Sequence, residues 1–198
     1  MKRIDIIKTA ALVSVINVAY AAVNLFIGIT ESSLWFMAAG IYYAVLCLTR
    51  LTTVLMSKRI KDKFISAYTG VMLMLTSLPL LLTVAMCYTR DVGNELHEIV
   101  MITMALYSFS KITLAIINLI KAKKQSTPTE RALRNLSFAD ALVSIASLQR
   151  SMLVSFGDMA ATDIRIFNTA TGGGVCILIF LLGLGLLRKW GKANNVKN

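Results

Sequence analysis

"ALVSVINVAYAAVNL", Ala11 to Leu25, sets without a gap above "ALYSFSKITLAIINL", Ala105 to Leu119. Ala, Leu, Ser, Ala, Asn and Leu recur in register, and the polar matches carry the information: Ser14 opposite Ser108, Asn24 opposite Asn118, and Asn17 opposite Lys111. In each stretch the polar side chains stand three and four residues apart, so on a helix they share one face. A second match, at a slightly longer offset, puts "AGIYYAVLCLTR" (Ala39 to Arg50) over "ADALVSIASLQR" (Ala139 to Arg150). A third, weaker one pairs Tyr68-Thr69-Gly70 with Ala170-Thr171-Gly172. The chain reads as two copies of one three-helix unit, about 1–92 and about 93–198, within a single membrane domain.

The solvent for these helices follows from composition. The chain is 57% hydrophobic with a mean hydropathy of +0.70, above the roughly 45–50% apolar content of soluble domains. Six apolar runs approach the ~20 residues needed to cross a bilayer: Ile4 to Ile29, Ser33 to Met56, Phe64 to Tyr88, His97 to Ile120, Leu136 to Phe156 and Ile164 to Leu187. The expected class is an all-α integral membrane protein.

A net charge of +11 would suit nucleic acid if it formed one basic patch. Instead it alternates along the chain. Lys2, Arg3 and Lys8 open the first run; Lys58, Arg59, Lys61 and Lys63 fill the second connection; Lys121, Lys123, Lys124, Arg131 and Arg134 fill the fourth; Arg188, Lys189, Lys192 and Lys197 follow the sixth run. The first connection, near Glu31, has no Lys or Arg, and Arg90 and Arg165 in the third and fifth are accompanied by acids. By the positive-inside rule both termini are cytoplasmic. Nucleic acid is not expected as a partner; lipid is.

Three crossings per copy make the second copy start on the side opposite to the first. The halves are therefore expected to be inverted, a plan that recurs in secondary transporters with sites near the midplane.

Charges inside the runs mark the candidate site, because an ionised side chain at a helix centre costs roughly 2.5–3.5 kcal/mol even on lenient insertion scales. Arg50, Lys111, Asp140 and Arg150 all lie within apolar runs. Asp140 and Arg150 are too far apart on one helix to pair, whereas Arg50 matches Asp140 in depth and Lys111 is within reach of it. One outcome is an ion pair that only fixes helix register. The other is a polar cavity lined by Asn17, Asn24, Arg50, Lys111, Asn118, Asp140, Gln149 and Arg150, its surplus of positive charge favouring an anionic solute. Ser137, Ser144, Ser147, Ser151 and Ser155 share a side of the same run as Asp140 and suit a close-packed helix seam. Gly172 to Gly174 permit a close approach or a local break in the sixth helix.

Other chemistries find little support. Cys47, Cys87 and Cys176 have no CxxC spacing, and no metal site is expected of them. His97, the only histidine, falls at a helix end and reads as solvated. Neither HExxH nor GxSxG occurs, so the chain is not expected to be an enzyme, and no cofactor is implied. Ala19-Tyr20-Ala21 imitates a signal cleavage site, but Asn17 interrupts the apolar stretch and its segment has a partner in the repeat.

"NLSFADALVSIASLQ", "SKITLAIINLIKAKK" and "SSLWFMAAGIYYAVLCLTR" resemble a group of small bacterial six-helix membrane proteins, over most of the chain. That resemblance implies a prokaryotic cell membrane and brings no activity. In size and helix count the chain is also similar to the substrate-binding S components of energy-coupling factor transporters. The expected function is a membrane transporter, secondary-carrier or channel-like, for a small polar and anionic solute. The alternatives are a substrate-binding membrane subunit of a larger importer and a non-transporting membrane partner or assembly protein; a homodimer and a larger transporter complex are both compatible assemblies.

Overall fold

The computed structural model describes residues 3–57, 62–90, 97–121, 127–156 and 159–195. They form six α-helices: α1 (Arg3–Thr30), α2 (Leu34–Met56), α3 (Asp62–Arg90), α4 (Glu98–Lys121), α5 (Pro128–Phe156) and α6 (Ala161–Asn195). The all-helical expectation holds. Four helices are long and apolar enough to cross a membrane, over Leu34–Met56, Phe64–Met86, Glu98–Ile117 and Ala161–Gly191. The six spans expected from sequence are thus met by four on length and composition. In α1 the apolar part among the described residues, Ser14–Thr30, is shorter. In α5 the polar stripe and two internal charges lower the hydropathy.

Local chemistry sets the ends. α5 starts eight residues before the apolar run that marked it, because Thr127-Pro128-Thr129-Glu130 begins a helix. The Thr127 hydroxyl accepts the Glu130 N–H at 3.3 Å, Pro128 occupies the first helical position where no N–H is needed, and Glu130 lies on the dipole's positive end. Between α1 and α2 the chain turns at Ser32, in the left-handed region with φ 51°, and the Ser33 N–H reaches back to the Gly28 carbonyl at 3.0 Å. That is a helix-ending turn usually built on glycine.

Helices pack as neighbours α1 on α2, α2 on α3, α4 on α5 and α5 on α6, while α3 on α6 and α2 on α5 join the two groups. α3 also touches α5, which leaves α5 in the middle of the bundle. The α3–α6 crossing depends on missing side chains. A Cβ on Gly70 would lie 2.9 Å from the Gly183 carbonyl oxygen, and one on Gly183 would lie 2.7 Å from that of Gly70. α6 runs unbroken through Gly172 to Gly174, so of the two outcomes expected there, close approach occurs, at Gly172 against Val84.

Polar groups face inward and apolar ones outward. Asn17, Asn24, Thr49, Arg50, Ser108, Lys111, Asp140, Ser144 and Arg150 are buried, while Val15, Phe26, Ile29, Phe64, Leu82, Ile99, Leu106 and Phe109 are exposed. A water-soluble bundle shows the reverse. In a bundle that faces hydrocarbon, interior polar groups find their partners chiefly within the protein.

Candidate functional site: a buried carboxylate shared by four helices

Asp140 lies on the central helix and is 1% exposed. Its Oδ1 accepts from the Lys111 ammonium of α4. Its Oδ2 accepts from Asn17 Nδ2 of α1 at 2.8 Å and from Arg50 Nη2 of α2 at 3.5 Å. Lys111, Asn17 and Arg50 are 9%, 0% and 1% exposed. Asp140 thus takes both of the cations expected within its reach, Arg50 and Lys111, at once.

Two cations against one carboxylate leave this cluster with one surplus positive charge. The excess is spread over polar neighbours. Arg50 Nη2 also donates to Ser137 Oγ at 3.3 Å, while Arg50 Nη1 is buried and makes no hydrogen bond. Lys111 Nζ stands over three tyrosine rings, 4.2 Å from the centroid of Tyr107, 4.5 Å from Tyr43 and 5.2 Å from Tyr20. Their electron-rich faces stabilise an ammonium removed from water. The rings also brace one another: Tyr20 stacks on Tyr107 at 4.1 Å and meets Tyr43 edge-on at 4.9 Å.

Hydroxyl groups fix the walls. Tyr107 donates to Asn17 Oδ1 at 3.1 Å, which leaves the Asn17 amide nitrogen aimed at Asp140. Ser144 donates to the Asp140 carbonyl at 3.0 Å, so in the 2.9 Å contact between the two hydroxyls Tyr43 donates to Ser144. Ser108 donates to the Ser144 carbonyl at 3.2 Å. The serine stripe is thus a packing seam that also holds the acid's helix in register. Chemically, the arrangement can hold an anion beside the cations, or move a proton between Lys111 and Asp140.

The other expected site residues lie elsewhere. Asn24 is buried and donates to the Tyr20 carbonyl at 2.7 Å, seven residues or about two turns along α1 from Asn17. Gln149 is half-buried, nine residues along α5 from Asp140. Asn118 continues α4, but its side chain lies outside the described residues. Arg150 is buried with its guanidinium 5.4 Å from the Trp35 ring centroid. It lines a separate, small cleft with Trp35, Val84, Tyr88, Arg165, Asn168 and Thr169.

The three tyrosines were not expected at the site, although a signal existed. Tyr20 follows Asn17 by three residues and Tyr107 precedes Lys111 by four, so each shares its neighbour's face. Nothing in the sequence marks Tyr43 as a third wall. Among the described residues no group of three or more His, Cys, Asp or Glu side chains is placed to hold a metal.

Neither protein-family models, curated proteins nor solved structures give a match to this chain.

Proposed function

We propose that this chain is a membrane carrier for a small polar solute of anionic character, secondary-carrier or channel-like, working through the Asp140 cluster. All six helices cross the membrane in this reading, as two inverted three-helix halves in a bacterial cytoplasmic membrane, with both termini cytoplasmic. The observation that carries it is the convergence of Asn17, Arg50, Lys111 and Asp140 from four helices on one buried point. Such groups are costly inside a membrane and tend to mark solute or ion pathways there.

Two further features support the inverted halves. Asn17 and Lys111 are repeat mates, and both donate to the same carboxylate. At the α3–α6 crossing Gly70 abuts Leu186 and Gly172 abuts Val84, and the offset that sets Gly70 over Gly172 also sets Val84 over Leu186. The two contacts are each other's images. The acid has no image, since position 40 is glycine and a Cβ there would lie 2.6 Å from Leu25 Cγ. One half thus supplies the carboxylate and its mate supplies a close helix contact.

The cluster is closed to solvent, which fits an occluded carrier. A solute anion would replace Asp140 as partner of Arg50 or Lys111, and the freed carboxylate could then bind a proton. The test is flux. Protein reconstituted into liposomes is assayed for uptake of a panel of labelled small carboxylates and phosphates, with Asp140→Asn and Lys111→Ala as variants and size-exclusion profiles as the folding control. Uptake that collapses in both folded variants supports the reading; uptake that is unchanged in both, or missing in the parent, removes it. Tight binding without flux would favour a capturing subunit of a larger importer, and a stoichiometric protein partner without solute response would favour an assembly role.

A further inference from the structure

A second group of buried polar atoms lies away from Asp140, along α5. Arg150 follows Asp140 by ten residues, about 15 Å of helical rise. The cleft it lines draws on the start of α2 (Trp35), the end of α3 (Val84 and Tyr88) and the start of α6 (Arg165, Asn168 and Thr169). These helix ends all meet at one end of the bundle.

Three atoms in this cleft are buried without a hydrogen-bond partner: Arg165 Nε, Asn168 Nδ2 and Asn168 Oδ1. Native proteins rarely leave such groups unsatisfied, and clusters of them call for an explanation. Arg165 and Asn168 are three residues apart on α6, so both side chains leave the same face. Two of the orphaned atoms carry N–H groups, and one belongs to a guanidinium, whose natural partner is an oxyanion. Asn168 Oδ1 is an acceptor, which a hydroxyl on the same ligand would satisfy. The walls are preformed. Trp35 is fixed by its own N–H bond to Ser147 Oγ at 3.3 Å and presents its ring toward the Arg150 guanidinium. Val84 and Tyr88 complete the lining.

We infer that the cleft between Trp35, Arg165 and Asn168 binds a small oxyanion, a hydroxycarboxylate or a phosphate, with Arg165 and the Asn168 amide as its donors. Its being cargo rests on the carrier reading above, with the cleft as the mouth of the pathway and the Asp140 cluster as its occluded middle. Binding itself does not rest on that reading.

Equilibrium binding tests the site. The protein holds two tryptophans, Trp35 and Trp190, so in Trp190→Phe the remaining indole reports on the cleft. The purified full chain in detergent is titrated with lactate and, separately, with inorganic phosphate, against chloride at equal ionic strength. A saturable change in Trp35 emission with either oxyanion is expected, and which of them saturates identifies the ligand class. Arg165→Gln should weaken that binding by about tenfold or more, as loss of one charge-assisted donor requires. Asn168→Asp, which keeps the shape and adds a repelling charge, should abolish it while the thermal transition stays in place. No saturable response to either anion, or equal affinity in Arg165→Gln and Asn168→Asp, overturns the proposal. Flux without cleft binding would sink this site alone; cleft binding without flux would sink the carrier reading alone.

Discussion

Lys111 and Asp140, on antiparallel neighbouring helices, form a buried ion pair whose cation is roofed by three tyrosine rings. Asp140 also balances Arg50, so its loss leaves two buried cations without an anion. Asp140→Asn should therefore destabilise the protein by about 3–5 kcal/mol, the range seen when one partner of a buried pair is removed. Lys111→Met should cost less, because Arg50 and Asn17 still hold the acid. The double variant should be less destabilised than the singles together, by roughly 0.5–3 kcal/mol of coupling. Unfolding of all four proteins in one detergent measures this, and strict additivity would contradict the shared cluster.

The reciprocal contact between Gly70 and Gly183 sets the distance between α3 and α6. An added methyl at either position would press on the opposing carbonyl oxygen at under 3 Å, and the helices must separate. Gly183→Val should lower stability by about 1–3 kcal/mol, the usual cost of overpacking. Gly185→Ala, one position class away with open space around its Cβ, should be neutral or stabilising. Melting temperatures of the two variants are expected to move apart.

The glycine triplet should split in the same manner. At Gly172 a Cβ would meet Val84 Cγ2 at 2.7 Å, whereas at Gly173 and Gly174 nothing lies within 4 Å. Gly173→Ala and Gly174→Ala are expected to stabilise α6 by up to about 1 kcal/mol each through helix propensity. Gly172→Ala should gain nothing unless Val84 is shortened to Ala as well. The pair Gly172→Ala with Val84→Ala, compared with each single, reads this out.

Ser32 holds a positive φ that glycine adopts without strain. Ser32→Gly is therefore expected to raise stability, by about 1 kcal/mol at most, since relief of the left-handed strain is partly offset by the glycine's greater freedom when unfolded. A lowered melting temperature would mean that the hydroxyl contributes more than the backbone strain costs.

Topology has its own test. In a background with Cys47, Cys87 and Cys176 changed to Ser, single cysteines at Glu31 and His97 should react with a membrane-impermeant maleimide added to intact cells. Cysteines at Lys58 and Lys121 should react only after lysis. Equal labelling from outside at Lys58 and Glu31 would contradict the alternating arrangement drawn from the basic connections.

Sequence alone determined what is local or compositional. Apolar content marked helices long and apolar enough to cross a membrane, and the spacing of Asn17, Ser108, Lys111 and Ser144 placed them on helical faces, because a helix repeats every 3.6 residues whatever surrounds it. The cost of an unpaired charge in hydrocarbon called for a partner to Asp140, with Arg50 and Lys111 as the candidates in reach. Tertiary structure decided which partners. Two arginines at equivalent repeat positions had the same local signal, yet Arg50 meets Asp140 and Arg150 lies against Trp35. The three tyrosines come from α1, α2 and α4, and their meeting around one ammonium depends on how those helices cross, as α1 and α2 do where Gly40 meets Leu25. Where helices cross depends on side chains that touch only after folding, and no spacing along one helix encodes it.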